Sequence, residues 1–527
     1  MRIKSRLAVR NPVMLLLLML WHAAPSRAAC DNPVPTTGQT TTCDSTAANS
    51  TDTPVLAAPG STNVTVNILA NAGLDVTTNN GILVYDRSTV INLGTVHVAG
   101  DFFDALSAQG TGDGNNVLIN RGMLVTTGNF SEGMFNSAAA VLMVNDATGV
   151  IRTSGQNSAA MNDFQSPGGG TLVNNGQIFV SGAGSYGMAA ASPNDTVINN
   201  GSIHMDASGA AGIFTNGGGT ATVTNNGTIN VTANGAQGIT ALNAGPVTVT
   251  NNGTILATGM QDIGAFFGSP VKFTNGPRAS IVVTRNDGVI ANGGGTLNNA
   301  GTINASGVGI FTGGPATVTN TGSIASSTFV GIWAQGPASI VINSSGNISG
   351  AVAAVLTDAG DDSFSMSGGS TTGIVDLAGG SNTVTLTGGA IGSGIRTGTG
   401  TSDTLLWRDG GTISGAVTLN GNHNTATLTR LTDANLSGLT VLASGTGTGT
   451  LAFDNTVTGA ASRFTNWTTI NLSNGSQLTL DKPGLVLGNN GIGTGTGTGT
   501  LSIDATSTLF AGGLGDPRSR PHSPGSL

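Results

Sequence analysis

The sequence predicts an all-β chain wound as a right-handed parallel β-helix with coils of roughly 20 to 28 residues, and three observations predict it. The first is composition. Of 527 residues 83 are Gly, 8% are charged and 4% aromatic, and this Thr/Asn/Gly/Val-rich mixture suits strands and tight turns while serving helices poorly. The second is a repeat: VNNGQIFV, INNGSIHM, TNNGTINV and TNNGTILA place the pairs Asn174 and Gly176, Asn199 and Gly201, Asn225 and Gly227, and Asn251 and Gly253 at intervals of 25, 26 and 26 residues. The third is that the residue two positions after the glycine is aliphatic in every copy, from Val96 and Leu124 through Ile178, Ile203, Ile229 and Ile255 to Ile348.

The repeat extends on both sides, with glycines at Gly94, Gly122 and Gly149 before and Gly301, Gly322 and Gly346 after, and a degenerate copy at Asn275-Gly276. Asn stands two before the glycine in eight of these ten copies. In the first seven copies a second mark falls eleven residues after the glycine, a small residue followed by a mostly apolar one, as at Gly187-Met188, Gly212-Ile213 and Gly238-Ile239, and in later copies the offset shortens, as at Gly309-Ile310 and Gly331-Ile332. Each period reads as short alternating strands joined by turns, in which Asn and Gly are expected to supply positive φ and the aliphatic residue points inward. One coil cannot bury its apolar face alone, so neighbours must stack on it. Stacking places equivalent residues in columns, and asparagines in a column can bond amide to amide along the axis.

Other classes fail on the same observations. Disorder requires low hydrophobicity and high charge, yet 38% of the residues are hydrophobic. Collagen requires Gly at every third position. A β-propeller requires blades of about 40 to 50 residues, and a leucine-rich repeat requires leucine columns with helical segments. Neither matches the period.

Residues 1–28 read as a secretory signal peptide. Arg2, Lys4, Arg6 and Arg10 precede the apolar run Val13 to Trp21, and Ser26-Arg27-Ala28 offers small residues for cleavage after Ala28. Those residues hold no acid, so the remainder is more acidic than the net charge of −8 of the whole chain, and only Lys272 and Lys482 remain as lysines. Nucleic acid is excluded as a partner, since no basic stripe exists to meet phosphates. Cys30 and Cys43 are the only cysteines, and in an oxidising compartment they read as a disulfide across a short loop.

Signal peptide, early cysteine pair and N-N-G-x-I coils together resemble the passenger region of autotransporters, the type V secreted proteins. The stretch from Asp358 through GGSTTGIVDLAGGSNTVTLTGGAI and GTSDTLLWRDGGTISGAVTLNGNHNTATL is similar to the distal passenger of the pertactin/AIDA-like group. Arg463-Phe464-Thr465-Asn466-Trp467 with INLSNGSQLTL resembles the junction module that helps such passengers fold, though Gln477 stands where the family often has Trp. On this reading residues 29–83 form an N-terminal cap, 84–357 the repeat coils, 358–443 the distal coils, 444–511 the junction, and 512–527 an atypical tail. The resemblance implies the Sec translocon and periplasmic chaperones as partners in export, an outer-membrane translocator barrel that this sequence does not contain, and a host or cell-surface ligand. It implies a place at the cell surface or outside the cell where a translocator is available, and the periplasm otherwise. The near-copies GTGTGTLAFD and GTGTGTLSID suggest slippage-prone DNA, and the tail is expected to be out of frame. The alternative is a short passenger exported by a separate pore.

Candidate chemistry is sparse. A Ser-His-Asp site would draw on His97, His204 or His423, and no G-x-S-x-G elbow accompanies them. These histidines are expected at the surface, and no catalysis is expected; an exported hydrolase on the same scaffold is the alternative. No cofactor is expected. Calcium is the best ionic candidate, at the glycine-containing turn of Asp358, Asp361 and Asp362, with turn acids facing solvent as the preferred reading. Aromatics cluster at Asp101-Phe102-Phe103-Asp104, at Phe130 to Phe135 and at Gly264-Ala265-Phe266-Phe267, where burial in the interior is expected over a binding role.

Overall fold

A computed structural model describes residues 26–27, 29–45, 52–164, 166–445, 447–482, 485–488 and 498–511. The signal peptide, apart from Ser26 and Arg27, and the tail 512–527 lie outside the described residues. The chain forms a right-handed parallel β-solenoid of about 17 turns with coils about 25 residues apart. At about 4.8 Å per coil this is a rod roughly 80 Å long.

One coil shows the plan. Ala221–Asn225 lies in sheet A, Thr228–Val231 in sheet B and Gln237–Ala241 in sheet C. Each strand pairs in parallel with its equivalents one coil before and after: Val223 lies beside Val197 and Val249, Ile229 beside Ile203 and Ile255, and Ile239 beside Ile213 and Ala265. Side chains alternate across the pleat, so these residues form three apolar ladders in a common interior. The degenerate copy is a full coil in which Ile281 continues the isoleucine ladder between Ile255 and Ile303.

The two sequence marks acquire physical causes. The small residue of the second mark points into the interior, where a Cβ on Gly212 would lie 2.5 Å from Ile229 Cγ2 of the next coil. The corner glycines correct the expectation of positive φ, because none of those in the N-N-G copies has it. They stack instead. A Cβ on Gly227 would lie 1.9 Å from the carbonyl oxygen of Gly201 in the coil before, so close approach of backbones selects glycine. Positive φ does govern the distal corners, at Gly369 (φ 64°) and Gly389 (φ 77°).

The corner asparagines turn inward and bond to one another. Asn92, Asn120, Asn145, Asn174, Asn199, Asn225, Asn251, Asn275, Asn299 and Asn320 are buried, and each Nδ2 donates to Oδ1 of the next at 2.7–2.8 Å. Asn320 ends the run on Ser344 Oγ at 3.3 Å.

The N-terminal and distal regions depart from this plan differently. Cys30 and Cys43 form a disulfide between antiparallel strands, and Thr40 to Cys43 already pair with Thr65 to Ile68, so the coil register reaches back into residues 29–83. In the distal coils the step shortens to 20 and 21 residues, as Phe364 meets Val384 and Val384 meets Leu405. Trp407 and Trp467 fill the interior there, each donating its indole N–H to a backbone carbonyl, of Gly410 and Leu442. Gln477 is exposed, in a separate sheet beside Val457 and Thr508. No helix among the described residues is long and apolar enough to cross a membrane.

Candidate functional site

The outer face of sheet B carries a half-open cleft. Register brings Val125, Arg152, Phe179, His204 and Asn230 into one outward column. With Thr126, Thr153, Ser154, Ser181 and Asp206, the first four line a cleft of about 370 Å³. The Arg152 guanidinium carbon lies 4.0 Å from the Phe179 ring centroid, and the Phe179 and His204 rings meet edge to face at 6.1 Å. His204 Nε2 is 3.1 Å from Asp206 Oδ2, and its Nδ1 is 3.2 Å from Asn230 Nδ2. Thr232 donates its hydroxyl to Asp206. The arrangement offers a cation, an aromatic face, an imidazole and the exposed hydroxyls of Ser154 and Ser181 on one surface.

The three sequence-selected histidines are not brought together. His97 is in sheet B four coils from His204, about 19 Å along the axis, with its Nδ1 2.8 Å from Asp75 Oδ1. His423 is exposed in a distal coil, with its Nδ1 2.7 Å from Thr448 Oγ1. Among the described residues no serine hydroxyl bonds to any of them.

The three acids of the calcium candidate face different coils. Asp358 Oδ2 accepts from Gly336 N at 3.0 Å and Asp362 Oδ1 from Ile340 N at 2.9 Å, both in the coil before, whereas Asp361 Oδ1 accepts from Ser381 N at 2.7 Å in the coil after. Burial, reinforced by the charges of Asp361 and Asp358, raises the pKa of Asp362. Among the described residues no group of three or more His, Cys, Asp or Glu is placed to hold a metal ion.

The aromatic clusters divide. Phe267 is interior, as expected, but Phe102 is 70% and Phe130 47% exposed, and Phe135 and Phe266 lie half-buried on the outer face of sheet C.

Two carboxyl pairs went unread in the sequence. Asp163 and Asp195 are both buried. Asp195 accepts from Gly170 N and Ser192 N at 2.7 and 2.8 Å, yet burial and the neighbouring Asp163 push its pKa up to about 8. Asp163 accepts from Asn136 Nδ2 at 2.7 Å and from Ser166 Oγ at 2.5 Å. Asp104 packs against Glu132 of the next coil, and burial first, then Glu132, holds its carboxyl well above the usual range. No linear spacing announces such pairs, since the partners lie 32 and 28 residues apart; an alignment by coils sets Asp104 beside Glu132, whereas Asp163 falls opposite Ala190 and Asp195 opposite Ala221, so that pair is not visible even then.

No family model, curated protein or solved structure matches the chain. Its class is given by the fold: an all-β right-handed parallel β-solenoid with interior asparagine and isoleucine ladders.

Proposed function

We propose that the chain is an autotransporter passenger, an exported adhesin-like rod that presents a binding surface to host or neighbouring cells and performs no catalysis. It crosses the inner membrane through the Sec translocon, is kept competent by periplasmic chaperones, and reaches the cell surface or medium where a translocator barrel is available, remaining in the periplasm otherwise. One observation carries this reading: a parallel β-solenoid of about 17 turns has a disulfide-linked strand pair in its N-terminal region. Such a rod suits secretion as a threaded chain, because each coil needs only its neighbour in order to fold. The test is expression of the full chain in a Gram-negative host. Mass spectrometry is expected to find an N-terminus at Ala29 and an oxidised cysteine pair, and beads coated with the product are expected to adhere to cells. A product retaining residues 1–28 in the cytoplasm contradicts the proposal.

An exported hydrolase is the second reading, favoured by His204 beside Asp206 in a hydroxyl-lined cleft. Hydrolysis of peptide or glycan substrates that disappears in His204→Ala would establish it in place of the first.

A further inference from the structure

Seven successive coils place a left-handed residue at the corner between sheets B and C: Phe102 (φ 65°), Phe130 (φ 53°), Asn157 (φ 53°), Gly184 (φ 69°), Gly209 (φ 62°), Gly235 (φ 71°) and Gln261 (φ 63°). The backbone N–H groups of Phe102 and Phe130 each donate to the following coil at 2.9 Å, to Asn129 O and Gln156 O. Glycine adopts this conformation freely and asparagine readily, whereas a bulky side chain is strained in it. The two phenylalanines gain little burial in exchange, being 70% and 47% exposed. Their rings lie face to face, with centroids 5.1 Å apart and planes 1° from parallel. Strained backbone carrying exposed aromatic rings, where four of the five following coils use Asn or Gly and the fifth the polar Gln261, points away from the fold and toward a ligand.

The surrounding charge states which ligand. Asp101 precedes Phe102 and Glu132 follows Phe130 by two residues, Glu132 being the only glutamate of the chain, while Asp104 is buried. Asp101 Oδ1 accepts from Asn129 N at 2.8 Å, Asp104 Oδ1 from Glu132 N at 3.1 Å, and Glu132 Oε1 from Asn162 Nδ2 at 3.2 Å. Among the described residues none of these carboxyls has a Lys, Arg or His partner. The cationic groups of the adjoining coils are engaged elsewhere, Arg87 by Asp113, His97 by Asp75 and Arg121 by Asp146. Aromatic faces carry negative charge density and attract cations, and this protein already seats Arg152 over Phe179.

We infer that the Phe102–Phe130 platform, flanked by Asp101 and Glu132, is a binding site for a cationic side chain, arginine or lysine, on a partner polypeptide. This names a ligand class for the binding surface proposed above, and rests on that reading only for its biological setting. Purified full-length chain tests it whether or not the chain is exported.

The experiment is isothermal titration of the chain with N-acetyl tetra-arginine amide, using neutral maltohexaose as the competing occupant. The parent is expected to bind the peptide and not the sugar. The double variant Phe102→Gly, Phe130→Asn, whose residues suit the observed φ, is expected to bind the peptide about tenfold more weakly, as loss of two exposed cation–π contacts implies, with an unchanged or higher unfolding midpoint. Asp101→Asn with Glu132→Gln is expected to weaken binding similarly and to flatten its salt dependence. No binding by the parent at millimolar peptide overturns the inference. So does equal binding by the ring-deleted variant, which reduces the effect to general attraction by an acidic protein. Ring-dependent binding of maltohexaose, or a lower unfolding midpoint on ring removal, overturns it as well.

Discussion

Asn225 donates its side-chain N–H to Asn251 Oδ1 at 2.8 Å, and Asn251 repeats the bond to Asn275 at the same distance. Every interior link from Asn92 to Asn320 has this polarity, so each amide polarises the next. The exposed second asparagines run the other way: Asn226 donates to Asn200 and Asn252 to Asn226. Burial separates the two ladders energetically. Asn225→Ala strands the Asn199 donor and the Asn251 acceptor in the interior and is expected to cost about 1–3 kcal/mol, whereas Asn226→Ala is expected to stay within about 0.5 kcal/mol. Urea unfolding midpoints of the two variants check the contrast, and equal midpoints contradict the role given to the inner ladder.

The corner glycines give a second contrast. Gly227→Ala must displace the Gly201 carbonyl and is expected to cost more than about 3 kcal/mol. Gly235 has positive φ with open space around its Cβ position, so Gly235→Ala is expected to cost only about 1–2 kcal/mol of backbone strain. Denaturation of the pair checks whether stacking or dihedral angle selects glycine.

These columns mark how far the sequence could be read. The fold was legible because one period carried both its turn and its inward aliphatic residue. Asn145 escaped because its corner, Asn145-Asp146-Ala147-Thr148-Gly149, holds two extra residues that separate Asn from Gly; its place at the end of the strand Val141–Asn145 was the available signal. The role of the corner glycine was misread because backbone crowding between coils leaves no trace along a single chain. The candidate site was less legible for the same reason: Arg152, Phe179 and His204 are 27 and 25 residues apart and meet only through register.

Stability is expected to rise on mild acidification. The folded pKa of Asp195 is about 8 against an ordinary 3.8, so between these values the folded state holds a proton that the unfolded state has released. The contribution is complete below about pH 4 and is lost as pH rises through about 8. Asp104, Asp262, Asp287 and Asp362 are raised by burial too and act in the same direction. Thermal unfolding followed by circular dichroism should give a higher midpoint at pH 5 than at pH 9, with a smaller difference in Asp195→Asn. A midpoint that climbs with pH across this range contradicts the assignment.

Reduction of the cysteine pair should act locally. Closing a loop of 13 residues' separation is worth about 3 kcal/mol in the loop-entropy picture, but coils couple only to their neighbours. Hydrogen exchange after reduction is expected to speed up at Thr40–Asp44 and Thr65–Ile68 and to leave the strands from Ala221 to Asn275 protected. Uniform loss of protection contradicts nearest-neighbour stability.

The most direct test of the stacked-coil account is deletion of one repeat. Removing residues 226–251 joins Asn225 to Asn252 and takes out one coil with its asparagine, isoleucine and glycine columns, whereas removing residues 226–238 takes out half of one. The account predicts that the whole-coil deletion keeps the β-sheet circular dichroism spectrum and cooperative unfolding, with the rod shorter by about 4.8 Å in small-angle scattering, while the half-coil deletion unfolds or aggregates. Equal disruption by both deletions would contradict it.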